Sequence, residues 1–137
     1  MGLTYVNIEL QNAEDESLLR RGIIGDDEIR QMTVHAMVDT GSVMLCINED
    51  IRQALDLPFR KKKRSQTADG RILELDVAGP VIVRYLDREC LTNAIILPDS
   101  QEPLLGAIPM EEMDLYVHPA RNEVLPVHPD GPIMSLK

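Results

Sequence analysis

Cysteine is scarce in this chain: Cys46 and Cys90 are the only two. Two are too few for a disulfide framework, and both sit in apolar stretches that read as buried free thiols. No histidine stands beside Cys46 in the sequence, so a cysteine nucleophile is not indicated. His35, His118 and His128 are scattered without a third ligand type beside them, which argues against a zinc site; no metal or cofactor is expected. No run approaches the ~18 apolar residues that a membrane span requires, so no membrane partner is expected. Positive charge is also short. With 14 Lys and Arg against 23 Asp and Glu, the formal net charge is −9, which argues against nucleic acid as the main partner. The acidity is read as a solubility feature. The opening Met1-Gly2-Leu3-Thr4-Tyr5-Val6-Asn7 lacks the basic and apolar regions of a secretory signal, and the expectation is a cytoplasmic protein.

What remains is an ordinary globular composition over 137 residues, enough for one core. A single domain over 1–137 is expected, with its core at about 4–127 and a flexible or interface tail at 128–137. Thr4, Val6, Ile8 and Leu10 alternate with polar neighbours, the period of a half-buried strand, and the same period returns from Ile29 to Val38. Asn12 to Ser17 is polar and acidic and reads as a loop. Val43 to Ile47 is a continuous apolar run of strand length. Asn48 followed by Glu49 and Asp50 is a helix start, and Pro58 stops that helix. The basic Arg60-Lys61-Lys62-Lys63-Arg64 reads as a solvated loop that could attract acidic substrate flanks. Asp69-Gly70 suits a hairpin turn, and Gly79-Pro80 is expected to interrupt the chain before a second hairpin turning at Asp87-Arg88. Leu104 to Pro109 reads as a short strand, Met110 to Met113 as a helical turn, and Leu115–Val117 with Val124–Val127 as a last hairpin. The sum is an all-β chain with one or two short helices.

One stretch stands out from this pattern. Met37-Val38 leads into Asp39-Thr40-Gly41-Ser42, and Val43 to Ile47 leads away. A carboxylate between two core strands costs several kcal/mol if buried unpaired, on the order of 2–7 for a polar group and more for a charge. Two readings account for it: a turn in an ordinary hairpin, or a carboxylate placed to polarise water. In the second, Gly41 lets backbone amides approach Asp39, and the Thr40 hydroxyl fixes the loop.

Asp39-Thr40-Gly41-Ser42 resembles the active-site loop of aspartic peptidases. The order of strand, acidic loop, strand, short helix, polar-tipped hairpin at Thr67-Ala68-Asp69-Gly70, second hairpin and Leu104-Leu105-Gly106 resembles the retropepsin-like family, the retroviral-type proteases and their single-domain bacterial members. The resemblance covers roughly Thr4 to Val127. It implies a closed β-barrel of the acid-protease type, with Asp39 catalytic and Thr40, Gly41 and Ser42 supporting it. Ala68, Asp69 and Gly70 then form a flap over the substrate, and Leu104, Leu105 and Gly106 line the cleft. Two departures stand against the retroviral pattern: Ala107 and Ile108 replace the polar residues usual after that glycine, and the segment Asn12 to Asp27 is longer.

There is one Asp-Thr-Gly and no second copy. Aspartic peptidase chemistry needs two carboxylates around one water, and two like charges a few Å apart cannot both ionise. The resemblance therefore implies a twofold homodimer that pairs Asp39 with its symmetry mate and cleaves an extended peptide or protein substrate. By the same resemblance, Met1 to Tyr5 and Pro132 to Leu136 are candidate interface segments. The competing expectation is a catalytically silent dimerisation or peptide-binding module on the same fold. A precursor or fragment of a longer protein is a third.

Overall fold

The computed structural model describes residues 3–99 and 101–133. The chain is mostly β with a few short helices. Its elements are β1 (Tyr5–Asn12), α1 (Ala13–Arg20), β2 (Gln31–Val38), β3 (Leu45–Asn48), α2 (Glu49–Leu55), β4 (Phe59–Gln66), β5 (Ile72–Tyr85), β6 (Arg88–Leu97), β7 (Leu104–Leu105), α3 (Ala107–Glu112), β8 (Leu115–His118) and β9 (Glu123–Pro126), with a 3₁₀ turn at Asp26–Glu28. No described helix is long and apolar enough to cross a membrane.

Seven strands form one sheet in the order β1-β2-β7-β3-β6-β5-β4, and β1 pairs with β5 as well. The pairings thus run from β1 through β2, β7, β3, β6 and β5 and return to β1, leaving β4 on an edge. Alternation does the sorting: Val6, Ile8 and Leu10 of β1 point inward, as do Val34 and Ala36 of β2. They meet Leu45 and Ile47 of β3, Val81 and Val83 of β5, and Leu105 of β7 in a single core.

Four sequence expectations are corrected. Asn12 to Ser17 is not a loop: Asn12 caps α1 by accepting the amides of Glu14 at 2.9 Å and Asp15 at 3.0 Å. Its Nδ2 also donates to Leu55 O at 2.8 Å, tying the start of α1 to the end of α2. The basic five-mer is not a loop either but most of strand β4, whose residues are nearly all exposed. Lysine and arginine on an edge strand discourage pairing with a second sheet, and β5 supplies opposite charges, Asp76 facing Lys62 and Glu74 facing Arg64.

Gly79-Pro80 does not interrupt the chain, because β5 runs through it for 14 residues. The register shifts between Ala78 and Val81, and Gly79 (φ +149°) lies so close to Asn93 that a Cβ would sit 2.5 Å from Asn93 Oδ1. Finally, the described residues form three short α-helices rather than one or two. α3 begins at Ala107, inside the stretch expected to be strand, so β7 is only two residues long. The Asn48 cap and the β8–β9 hairpin fall where the sequence puts them, and a hairpin joins β4 to β5 as expected, with its turn one residue earlier than Asp69-Gly70.

Arg88 begins β6 and is buried to 2% exposure. It donates to Met113 O at 3.3 Å and to His128 O, pairs with Asp87 at 3.0 Å, and lies 3.6 Å from Asp114. One buried guanidinium thereby holds the end of α3 and the segment after β9 against the sheet. At the other end Asn122, in the β8–β9 turn, accepts from the Thr4 hydroxyl and donates to Leu3 O at 2.6 Å.

Candidate active site

β2 ends at Val38 and β3 begins at Leu45, so Asp39 to Met44 form the loop between them. β7 passes between these two strands, parallel to β2 and antiparallel to β3. Its backbone braces both arms of the loop. Asp39 N donates to Leu105 O at 3.0 Å, and Met37 N to Pro103 O at 3.0 Å. On the other arm, Ala107 N donates to Ser42 O at 2.8 Å and Ile108 N to Val43 O at 2.9 Å. The first amides of α3, which have no partner inside the helix, are thus satisfied by loop carbonyls.

Gly106 sits where the two segments touch. A Cβ there would lie 2.4 Å from Met44 O and 2.7 Å from Ser42 O. Its backbone is extended (φ −88°, ψ −175°), so glycine is needed for space and not for conformation. Inside the loop, Gly41 N donates to Asp39 Oδ1 at 3.0 Å and Ser42 N to Asp39 O at 3.0 Å. The Ser42 hydroxyl donates to Met44 O at 3.4 Å and lies 3.6 Å from Cys46 Sγ. Asp39 is half-buried while Thr40 and Gly41 are exposed. The Thr40 hydroxyl makes no hydrogen bond among the described residues.

Across from the loop stands the β4–β5 hairpin. Its turn is built on Thr67: Gly70 N donates to Thr67 O at 2.9 Å and Thr67 N to Arg71 O at 2.8 Å. The centre of that turn is Ala68-Asp69, with Gly70 taking a positive φ of +88° just after it, so the turn lies one residue earlier than Asp69-Gly70. The Thr67 hydroxyl, then the Arg71 amide and guanidinium, hold the Asp69 carboxyl below the usual carboxylate range.

Between loop and hairpin stem lies a cavity of about 380 Å³. Ser42, Val43, Met44 and Cys46 line it on the loop side, and Lys63 and Leu75 on the hairpin side. Of the three residues expected to line the cleft, Leu104 borders this cavity, Leu105 is fully buried in the core, and Gly106 backs the loop. Sequence reading had no means of finding Lys63 and Leu75, because their shared face exists only once β4 is recognised as a strand. Burial pushes the Cys46 thiol up; the Ser42 hydroxyl opposes this and the Asp39 charge adds to it. Cys90, away from the loop, is pushed up to about 12, chiefly by burial.

A larger groove of about 710 Å³ lies between α1 and the β5–β6 face, lined by Leu18, Pro80, Ile82 and Leu91. It includes no residue of the Asp39 loop, so the smaller cavity is the one the chemistry selects. Among the described residues no His, Cys, Asp and Glu cluster could hold a metal ion.

The family profile described as aspartyl protease matches residues 24–107, more than half of the chain. The chain belongs to this aspartyl protease family, which is retropepsin-like. The match spans β2, the Asp39 loop, the β4–β5 hairpin and β7 through Gly106, the parts that build the site. No curated protein matches the chain.

Proposed function

We propose that the protein is an aspartic endopeptidase working as a homodimer, with one Asp39 from each subunit around a single water. The observation that carries this reading is the braced loop. Backbone bonds from Asp39 N and Ala107 N and the close approach of Gly106 fix the loop from behind, while its front, Thr40 and Gly41, faces solvent. Family membership supports protease chemistry in general; the second carboxylate has to come from outside the chain.

The surface beside the loop suits a twofold contact. Val43 is 57% exposed and Ile108 44%, and the two are joined by the 2.9 Å bond between Ile108 N and Val43 O. Leu3, 65% exposed, adjoins Thr4, whose carbonyl accepts from Val38 N. The Thr40 hydroxyl, without a partner among the described residues, is available to bond across the axis. Of the candidate interface segments, Met1, Gly2, Met134, Ser135 and Leu136 lie outside the described residues. The ring of pairings from β1 back to β5 is in keeping with a closed barrel of the acid-protease type.

In this reading an extended peptide lies in the cleft under the β4–β5 hairpin, which acts as the flap. One Asp39 carboxylate takes a proton from the water as its oxygen attacks the scissile carbonyl carbon, and the other donates a proton to the carbonyl oxygen. As the tetrahedral species collapses and the C–N bond breaks, the carboxyl that took the water's proton gives it to the departing amine, and the other carboxylate takes back a hydroxyl proton as the product carboxyl group forms. Neither a metal nor a covalent enzyme intermediate takes part.

The test is cleavage of an extended-peptide library by wild type and Asp39→Asn. Asp39→Asn is expected to lose at least about 10³-fold in kcat/KM while remaining dimeric in sedimentation. A catalytically silent peptide-binding module draws on one observation, that the cavity lies within a single chain. Binding of library members by a wild type that cleaves none of them favours that second reading.

A further inference from the structure

The β4–β5 pairing sorts the basic run into two faces. On one, Lys62 pairs with Asp76 at 2.9 Å, and Arg64 stands opposite Glu74. On the other, Lys63 stands opposite Leu75 and Ser65 opposite Leu73, with no carboxylate in register. This second face carries Lys63, Leu75 and Ser65 into the lining of the cavity beside the Asp39 loop.

Lys63 is the one charged residue in that lining. Among the described residues it has no salt-bridge partner, and its Nζ reaches only the Met44 thioether, at 3.6 Å. Leu75, Ile95, Leu97 and Leu104 make the rest of the wall largely apolar. An ammonium at the rim of an apolar cavity attracts a ligand with a short aliphatic stem and a negative end, because that ligand covers the apolar wall and pairs the charge. The net charge of −9 does not cancel this preference. Charges beyond a Debye length of about 8 Å are screened at physiological ionic strength, whereas a contact pair is not.

We propose that Lys63 is a specificity-determining residue, selecting peptides that carry glutamate or aspartate within a few residues of the scissile bond. This rests on the endopeptidase reading for its substrate class, but it is read out by binding alone. The experiment uses the Asp39→Asn full chain, which cannot turn over its ligand, and a positional set of extended peptides with Glu or Gln at each position. Fluorescence anisotropy is expected to show Glu favoured over Gln about tenfold at one position in moderate salt, shrinking as salt rises.

Introducing Lys63→Met is expected to bring that ratio close to one, Lys63→Arg to keep it, and Lys63→Glu to invert it. Equal binding of Glu and Gln peptides, binding of neither, or a preference that survives Lys63→Glu overturns the proposal. Wild-type cleavage of the same peptides is scored alongside. A Lys63-dependent preference without cleavage leaves the Lys63 assignment standing and counts against the peptidase alone.

Discussion

A single methyl group added at Gly106 would lie 2.4 Å from one loop carbonyl oxygen and 2.7 Å from another, both backbone atoms that cannot swing aside. Gly106→Ala is therefore expected to displace the Asp39 loop, costing about 3 kcal/mol in urea unfolding and most of the activity. Asp15 makes a different prediction. Burial alone would raise its pKa, but the Arg30 guanidinium and amide, at 3.0–3.1 Å, outweigh burial and hold the carboxyl below its ordinary value of 3.8. A carboxyl lowered by folding stabilises the folded state above its unfolded pKa, and that stabilisation is lost as pH falls through the folded one. Wild-type urea midpoints are thus expected to drop below about pH 4, while Asp15→Asn starts about 2–3 kcal/mol less stable and declines less steeply. Asp114, lowered by the His128 ring at 2.7 Å against the effect of its burial, titrates with the same sign. Arg88→Met would leave the carbonyls of Met113 and His128 without the guanidinium that donates to them and remove the cation 3.6 Å from Asp114, at a cost of about 3–5 kcal/mol in urea unfolding.

At the scale of elements, what was legible in the sequence had a local signature. Period-2 alternation gave β1 and β2, and the Asn48 cap gave α2. Asp39-Thr40-Gly41-Ser42 stood out as an acid, a hydroxyl and a glycine between two apolar runs, but those residues alone also suited an ordinary hairpin turn. The order of the elements around them, by its resemblance to the retropepsin-like family, favoured the other reading. Elements decided by distant partners were not legible. Asn12 with Glu14, Asp15 and Glu16 is the same cap-and-acid signal as Asn48, but Ala13–Arg20 lacks a clear apolar stripe and is held by Leu55 and Arg30, far along the chain. Asn12→Ala is expected to cost about 1–2 kcal/mol, since it removes both the cap and the bond to Leu55 O. The basic run gave no strand signal because charge masked it; the backbone ladder with β5, from Phe59 to Gln66, makes it a strand, with Asp76 and Glu74 standing opposite two of its cations. Gly79 looked like a breaker and is a close approach to Asn93 inside one long strand. For the site, Asp39 and the Leu104-Leu105-Gly106 segment were singled out, but the bracing of the loop by Leu105 and Gly106 was not read, because it depends on contacts between segments far apart in the chain; Lys63 and Leu75 were not read either.

At the scale of the whole molecule, the proposed chemistry requires a second subunit. The exposed pair Val43 and Ile108 lies beside the Asp39 loop, which meets its mate in the proposed dimer. Ile108→Glu is expected to shift sedimentation to monomer and to abolish cleavage while leaving far-UV circular dichroism unchanged, since Ile108 is 44% exposed and outside the core. The most direct test of a shared site is mixing. Wild type is held at fixed concentration and Asp39→Asn chain is added under conditions that allow subunit exchange. If each active site draws one Asp39 from each subunit, mixed dimers are silent and activity per wild-type chain falls in proportion to the wild-type fraction. If activity stays constant as Asp39→Asn is added, although exchange is seen between labelled subunits, each chain acts alone and the shared-site account is wrong.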